Sequence, residues 1–191
     1  MKHKILFLFF ILSFVCWLLP FIVRLFFVNI PEIQVKPIEN PQSITITMDK
    51  IVLLLSENKK QDAFWLIFLN NIKGCLINII GGFLLGLGTL INLMFNGFFM
   101  ADIFASSYES NPNINLILRT TLPHSFELIG FWLSGAIGFY FAWNIIQFMR
   151  GKESFSSQFL KQTVIGILIV FIIIFSAAYV EAYISTSMSI K

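Results

Sequence analysis

Charge is what this sequence has least of. Aspartate, glutamate, lysine and arginine make up 12% of its 191 residues, about half the share carried by a soluble domain. So few charges cannot cover a globular surface, and 57% of the residues are hydrophobic with a mean hydropathy of +0.83. A soluble enzyme domain is thereby excluded, and the chain reads as an integral membrane protein. Its net charge of +3 is spread over loops, where basic residues orient helices rather than bind nucleic acid. Cysteine is nearly missing too. Cys16 and Cys75 lie in separate apolar runs, with no Cys-x-x-Cys pair and no histidine cluster, which argues against a structural zinc site. Both read as small apolar packing residues. The chain has no Gly-x-x-x-x-Gly-Lys-Ser/Thr phosphate loop, no His-Glu-x-x-His and no Gly-x-Ser-x-Gly, so the common signatures of nucleotide, zinc-hydrolase and serine-hydrolase chemistry are missing.

What is present is a series of long apolar runs. After the basic start Met1-Lys2-His3-Lys4, the stretch Ile5–Val23 carries no charge and is about as long as a membrane span requires. No Ala-x-Ala-like cleavage site follows it, so it reads as a retained helix, Ile5–Phe27, kinked at Pro20, with Arg24 snorkelling to an interface. Residues 28–62 change character. Pro31, Pro37 and Pro41 punctuate them, Gln42–Thr47 alternates like a short strand, and Asp49–Ser56 resembles an amphipathic surface helix. Three segments result: an anchor helix at 1–27, an extracytoplasmic segment at 28–62, and a helical membrane domain at 63–191.

Ala63–Ala105 carries only Lys73 and Asp102 as charges. It is too long for one span of about 20 residues, so the spacing predicts a break near Gly81-Gly82, near Asn96-Gly97, or at both. The basic N-terminus and the loop Arg150-Gly151-Lys152 with Lys161 belong on one side by the positive-inside rule. The block must then cross twice, or go in and back out. With helices at about Leu122–Phe148 and Phe159–Ile184, the expected fold class is an all-α polytopic bundle of about five spans with a broken or re-entrant Gly/Asn-rich segment.

Polar side chains inside these runs mark candidate sites. Thr120–Leu128 places His124 and Glu127 three residues apart, on one face of a helix. Pro123 suits a first helical turn, and the pair reads either as an interfacial feature or as a buried site, since a charge at bilayer depth costs about 2.5–3.5 kcal/mol or more. Asn70, Asn71, Lys73, Asn78, Asn92, Asn96 and Asp102 fall in the preceding block, and Glu181 near the end of the last helix. Amides of this kind join membrane helices by hydrogen bonds. Gly82-x-x-x-Gly86 and the run Gly130, Gly135, Ala136, Gly138 provide surfaces for close helix approach.

Taken in order, Phe68-Leu69-Asn70-Asn71, Gly81-Gly82-x-x-x-Gly86-x-Gly88-Thr89, Asn96-Gly97, Leu122-Pro123-His124-Ser125-Phe126-Glu127-Leu128 and Gly135-Ala136-Ile137-Gly138 resemble the stage II sporulation protein M family of integral membrane proteins. The resemblance covers about Phe64 to Gln147. The family motif reads Pro-His-Gly-x-x-Glu; here Ser125 stands where glycine is usual, and Glu127 follows His124 by three residues, one fewer than in that motif. Carried over by position, the family's polar residues are Asn71, Asn96, His124 and Glu127. To these the chain's own pattern adds Asp102, with Gly81, Gly82, Gly86, Gly97 and Pro123 as points of helix breakage or close packing. The resemblance implies a multi-pass protein of the bacterial cytoplasmic (inner) membrane, and the basic N-terminus places that end in the cytoplasm by the positive-inside rule. It also implies a scaffold that recruits peptidoglycan-degrading partners; fold likeness alone does not establish such a role.

Three functional classes can be compared. A scaffold or assembly subunit needs helices and partner-facing surfaces. A transport or export subunit would use the interrupted segment Gly81–Gly97 and the intramembrane Asn, His and Glu groups, and would need an ATP-hydrolysing partner or oligomers. An intramembrane hydrolase built on His124 and Glu127 lacks the three protein ligands a catalytic zinc requires. The expectation is therefore a non-enzymatic scaffold without metal or cofactor. Its partners would be the lipid bilayer together with wall-remodelling enzymes, an ATPase subunit or further copies of itself.

Overall fold

The computed structural model describes residues 2–27, 50–51, 53–110, 114–152 and 155–185; for 2–3, 27, 106–110, 114–125 and 185 it describes the backbone alone. Among the described residues there are five long helices: α1 (Lys2–Phe27), α2 (Lys60–Gly81), α3 (Leu87–Ser110), α4 (Ile114–Met149) and α5 (Ser157–Val180). A 3₁₀ turn, Gly82–Leu84, joins α2 to α3, and a π-turn, Glu181–Ser185, extends α5. No strand occurs among the described residues. All five helices are long and apolar enough to cross a membrane. The strand-like segment Gln42–Thr47 lies outside the described residues; of Asp49–Ser56, residues 53–56 are helical.

Helix α4 is central and packs against each of the others. Its small residues explain why. Gly130 receives Ile173 and Ile174 of α5, Gly135 receives Ser13 of α1 and Leu93 of α3, and Gly138 lies against the Asn78 carbonyl and Thr89. Ala136 and Ile137 are fully buried. Without a hydrophobic drive between helices in lipid, such close approach is the main source of association. Helix α1 runs along α3 and α4. Its Trp17 meets Trp132 edge-on at 5.4 Å, and Phe9 lies 6.4 and 6.5 Å from Tyr140 and Trp143. These contacts put the N-terminus of α1 and the α4–α5 loop at the same end of the bundle. That loop is tightly closed. Gly151 takes φ +72, its N–H bonds the Phe148 carbonyl and that of Lys152 bonds Gln147, and Ser156 caps α5 through the Phe159 N–H at 3.2 Å.

The long apolar block breaks where the glycines predict. Leu85 takes φ +54 and Gly86 φ +84, a reversal that a glycine-rich stretch accommodates at low cost. The break at Asn96-Gly97 does not occur, and α3 runs through both residues. Gly97 serves close packing instead: a Cβ there would fall on the Trp17 carbonyl of α1. Two further expectations need correction. Helix α4 begins at Ile114, not near Leu122, and continues through Pro123; one lost N–H bond does not end a helix whose upstream residues, Leu116, Leu118 and Arg119, are good helix formers. Arg24 does not snorkel outward. It is 5% exposed and pairs with Asp102 of α3, since a buried guanidinium needs a counter-charge. At the water-exposed start of α2, Glu57 bonds Lys59 at 2.7 Å and holds its ammonium above the usual lysine range.

Candidate functional site

Helix α2 presents Asn71, Gly74, Cys75 and Asn78 at i, i+3, i+4 and i+7, one continuous face. Helix α4 presents Glu127, Phe131, Ser134 and Gly138 with the same periodicity. The two stripes meet. The Asn71 side-chain amide donates to the Glu127 carboxyl, and the Glu181 carboxyl, from the π-turn after α5, lies within hydrogen-bonding reach of Glu127. Three elements therefore converge on one carboxyl group. Further along, Cys75 is fully buried and adjoins Ser134.

Asn78 is the hub of the buried network. It is wholly inaccessible. Its Nδ2 donates to Ser134 Oγ at 3.0 Å and to the Phe131 carbonyl at 3.3 Å, while its Oδ1 accepts from Asn92 Nδ2 at 2.8 Å. Asn92 also donates to the Gly74 carbonyl at 3.1 Å, and Thr89 Oγ1 to the Asn78 carbonyl at 2.7 Å. The amide thus ties α2 to both α3 and α4. At low dielectric a fully paired network rigidifies a core, whereas a broken one is costly.

The other predicted residues lie elsewhere. Asn96 accepts from Trp17 Nε1 at 3.1 Å, linking α3 to α1. Asp102 pairs with Arg24, whose guanidinium also sits 5.4 Å over the Phe98 ring. The structure joins Asn71 to Glu127 but distributes Asn96 and Asp102 along the α1–α3 contact, so these four polar residues form separate ties and not one cluster. The His124 side chain lies outside the described residues. Asn78, Asn92, Thr89, Ser134 and Arg24 also belong to these ties; Asn78 and Asn92 stand in the sequence only among the interior amides, and Thr89, Ser134 and Arg24 were not read as site residues. The signal for Asn78 and Ser134 was the shared seven-residue spacing, Asn71 to Asn78 and Glu127 to Ser134.

If Asn71 and Glu127 act together, removing either should cost more than half of what removing both costs. Asn71→Ala and Glu127→Ala should each lower the unfolding temperature in detergent, and the double variant should fall short of their sum by about 1 kcal/mol, within the range of inter-helix bonds in membranes. Strictly additive losses in a thermal-melt double-mutant cycle would show that the pair is not coupled.

A bundle of apolar helices around a glycine-broken hairpin, with polar groups bonded in its interior, defines a multi-pass helical membrane protein. The sequence profile described as stage II sporulation protein M matches residues 5–186, and the chain belongs to that family. A relative from Methanocaldococcus jannaschii, described as an uncharacterized protein, is 31% identical over 130 residues, covering 64% of this chain and 71% of that one. No solved structure matches the chain.

Proposed function

We propose that the protein is a non-enzymatic scaffold or assembly subunit of a larger envelope complex, anchored in the cytoplasmic membrane with its N-terminus and the Arg150–Lys161 loop in the cytoplasm. The observation that supports this reading is a set of polar pairs that cross between helices. Asn71 with Glu127, Asn78 with Ser134 and Asn92, Asn96 with Trp17, and Arg24 with Asp102 all bond across helices. Polarity used in this way fixes the helices to one another and leaves their outward faces for partners. The scaffold role implied by the family resemblance agrees with it. The alternative, a membrane subunit of an export system served by an ATPase, draws on the broken α2–α3 hairpin and its facing amides Asn78 and Asn92.

Purification in mild detergent from native-level expression, followed by identification of co-purifying proteins, separates the two. The expected result is an envelope protein of the wall-remodelling type retained in fixed proportion. An ATP-hydrolysing subunit in its place would move the assignment to export, and recovery of the chain alone would overturn both. For orientation, single cysteines at Ser43→Cys and Ser156→Cys should differ. An impermeant thiol reagent added to intact cells should label the first only, and labelling of the second would reverse the proposed topology.

A further inference from the structure

Three helices of this bundle connect two polar layers. At one end lie Arg24, Asp102, Asn71, Glu127 and Glu181, joined in the pairs above. At the other lie the exposed basic residues Lys4, Arg150, Lys152 and Lys161; Glu153, in the same loop, lies outside the described residues. Between the layers, Lys4 to Arg24 of α1 is twenty residues and Lys161 to Glu181 is twenty, about 30 Å each at 1.5 Å per residue, and Glu127 to Arg150 is twenty-three, about 35 Å. These distances match a hydrocarbon core of about 30 Å.

The α2–α3 hairpin is shorter. Asp102 back to Leu87 is fifteen residues, about 22 Å, and Asn71 to Gly81 only ten, about 15 Å before the 3₁₀ turn. Packing gives the same depth independently. Gly86 lies against Phe139 and Ala142, and the Phe83 ring sits 4.9 Å from that of Phe141. Ala142 precedes Arg150 by eight residues, so the tip stops about 12 Å short of the basic layer. Its composition fits that depth. No charge occurs between Lys73 and Asp102, and Phe83, Leu84, Leu85 and Leu87 are 56, 67, 49 and 62% exposed among the described residues. Its backbone is nonetheless served, as irregular backbone at membrane depth must be: Gly82 N–H bonds α2 carbonyls, Leu90 N–H bonds Gly86, and Thr89 bonds Asn78.

We infer that α2–α3 is a re-entrant hairpin. It enters from the Glu127 side and turns back inside the opposite leaflet, and the recess beneath its tip holds a phospholipid whose anionic headgroup meets Lys4, Arg150, Lys152 and Lys161. An apolar tip facing a basic rim matches the two ends of such a lipid, acyl chains above and phosphate below. Five apolar helices then make three crossings and one in-and-out loop, with the chain ends on the same sides as five crossings would give.

The test uses the full chain carrying Cys16→Ala and Cys75→Ala, in vesicles of equal parts phosphatidylcholine and phosphatidylglycerol. Nitroxides are placed at Leu84→Cys and at Lys152→Cys. The Leu84 label should collide with oxygen far more than with a polar nickel chelate, and the Lys152 label the reverse. Equal chelate access at both positions would place the tip in water. Access to neither reagent would mean that protein covers it; either result overturns the inference. Spin-labelled phosphatidylglycerol should also be immobilised in preference to phosphatidylcholine, by about fivefold for each basic residue fully engaged at about 1 kcal/mol. The preference should vanish in the quadruple variant Lys4→Gln, Arg150→Gln, Lys152→Gln, Lys161→Gln. No preference in the parent chain would overturn the headgroup assignment.

Discussion

Gly82→Val and Gly138→Val should each abolish recovery of a monodisperse protein in mild detergent. At Gly82 a Cβ would land on the Gly138 carbonyl, and at Gly138 it would land on the Asn78 carbonyl and the Thr89 side chain. The obstacles are largely backbone held in helices, which cannot rotate away as a flexible side chain would. Overpacking a close-packed site costs about 1–3 kcal/mol and sometimes more. Here the top of that range or beyond is expected, because α2 and α4 would have to separate and pull Asn78 from Ser134. Leu84→Ala, at an exposed position on the same turn, should change the melting temperature little. Gel filtration and thermal melting of the three variants would check this. A well-folded Gly82→Val protein would mean that the two helices are not held at this distance.

The second large effect concerns Arg24. Its side chain is 6% exposed and that of Asp102 38%, so the pair is buried mainly on the arginine side. Arg24→Met should destabilise by about 2–4 kcal/mol, since it strands a carboxylate against an apolar helix and removes the cation over Phe98. Arg24→Met with Asp102→Leu should recover most of that loss, as replacement of both partners in a buried pair usually does. A double variant as unstable as the single one would show that the charges hold something beyond each other.

Much of the fold was legible because membrane helices declare themselves by length and charge. The runs Ile5–Phe27 and Phe159–Ile184 read as helices by length and low charge, and the helices α1 and α5 with its π-turn occupy them. The break at Gly81–Gly86 could be read from glycine density. Asn96-Gly97 carried the same local signal and gave the opposite result. Its meaning lay in Trp17, 80 residues earlier, whose backbone needs the missing Cβ and whose indole needs the Asn96 oxygen. Propensity is local; packing is not. The start of α4 was misplaced for a related reason, since Pro123 suits a first helical turn but does not compel one. Within the candidate site, the sequence singled out Asn71 and Glu127 but left Asn78 as one interior amide among several. An asparagine amid apolar residues looks alike whether it faces lipid or a partner, and only the assembled neighbours distinguish the two. Arg24 misled in the same way, because a basic residue near a helix end fits snorkelling until its counter-charge is seen.

The Asn78–Asn92 bond also bears on the order of events during synthesis. The chain emerges N-terminus first, so α2 and α3 are made before α4 exists to offer Ser134 and the Phe131 carbonyl. During that interval Asn78 Oδ1 can already accept from Asn92, and the Asn78 carbonyl from Thr89, both within the hairpin itself. The hairpin therefore carries its own temporary partners into the lipid. Only the two donors of the Asn78 amide must wait for the next helix to arrive.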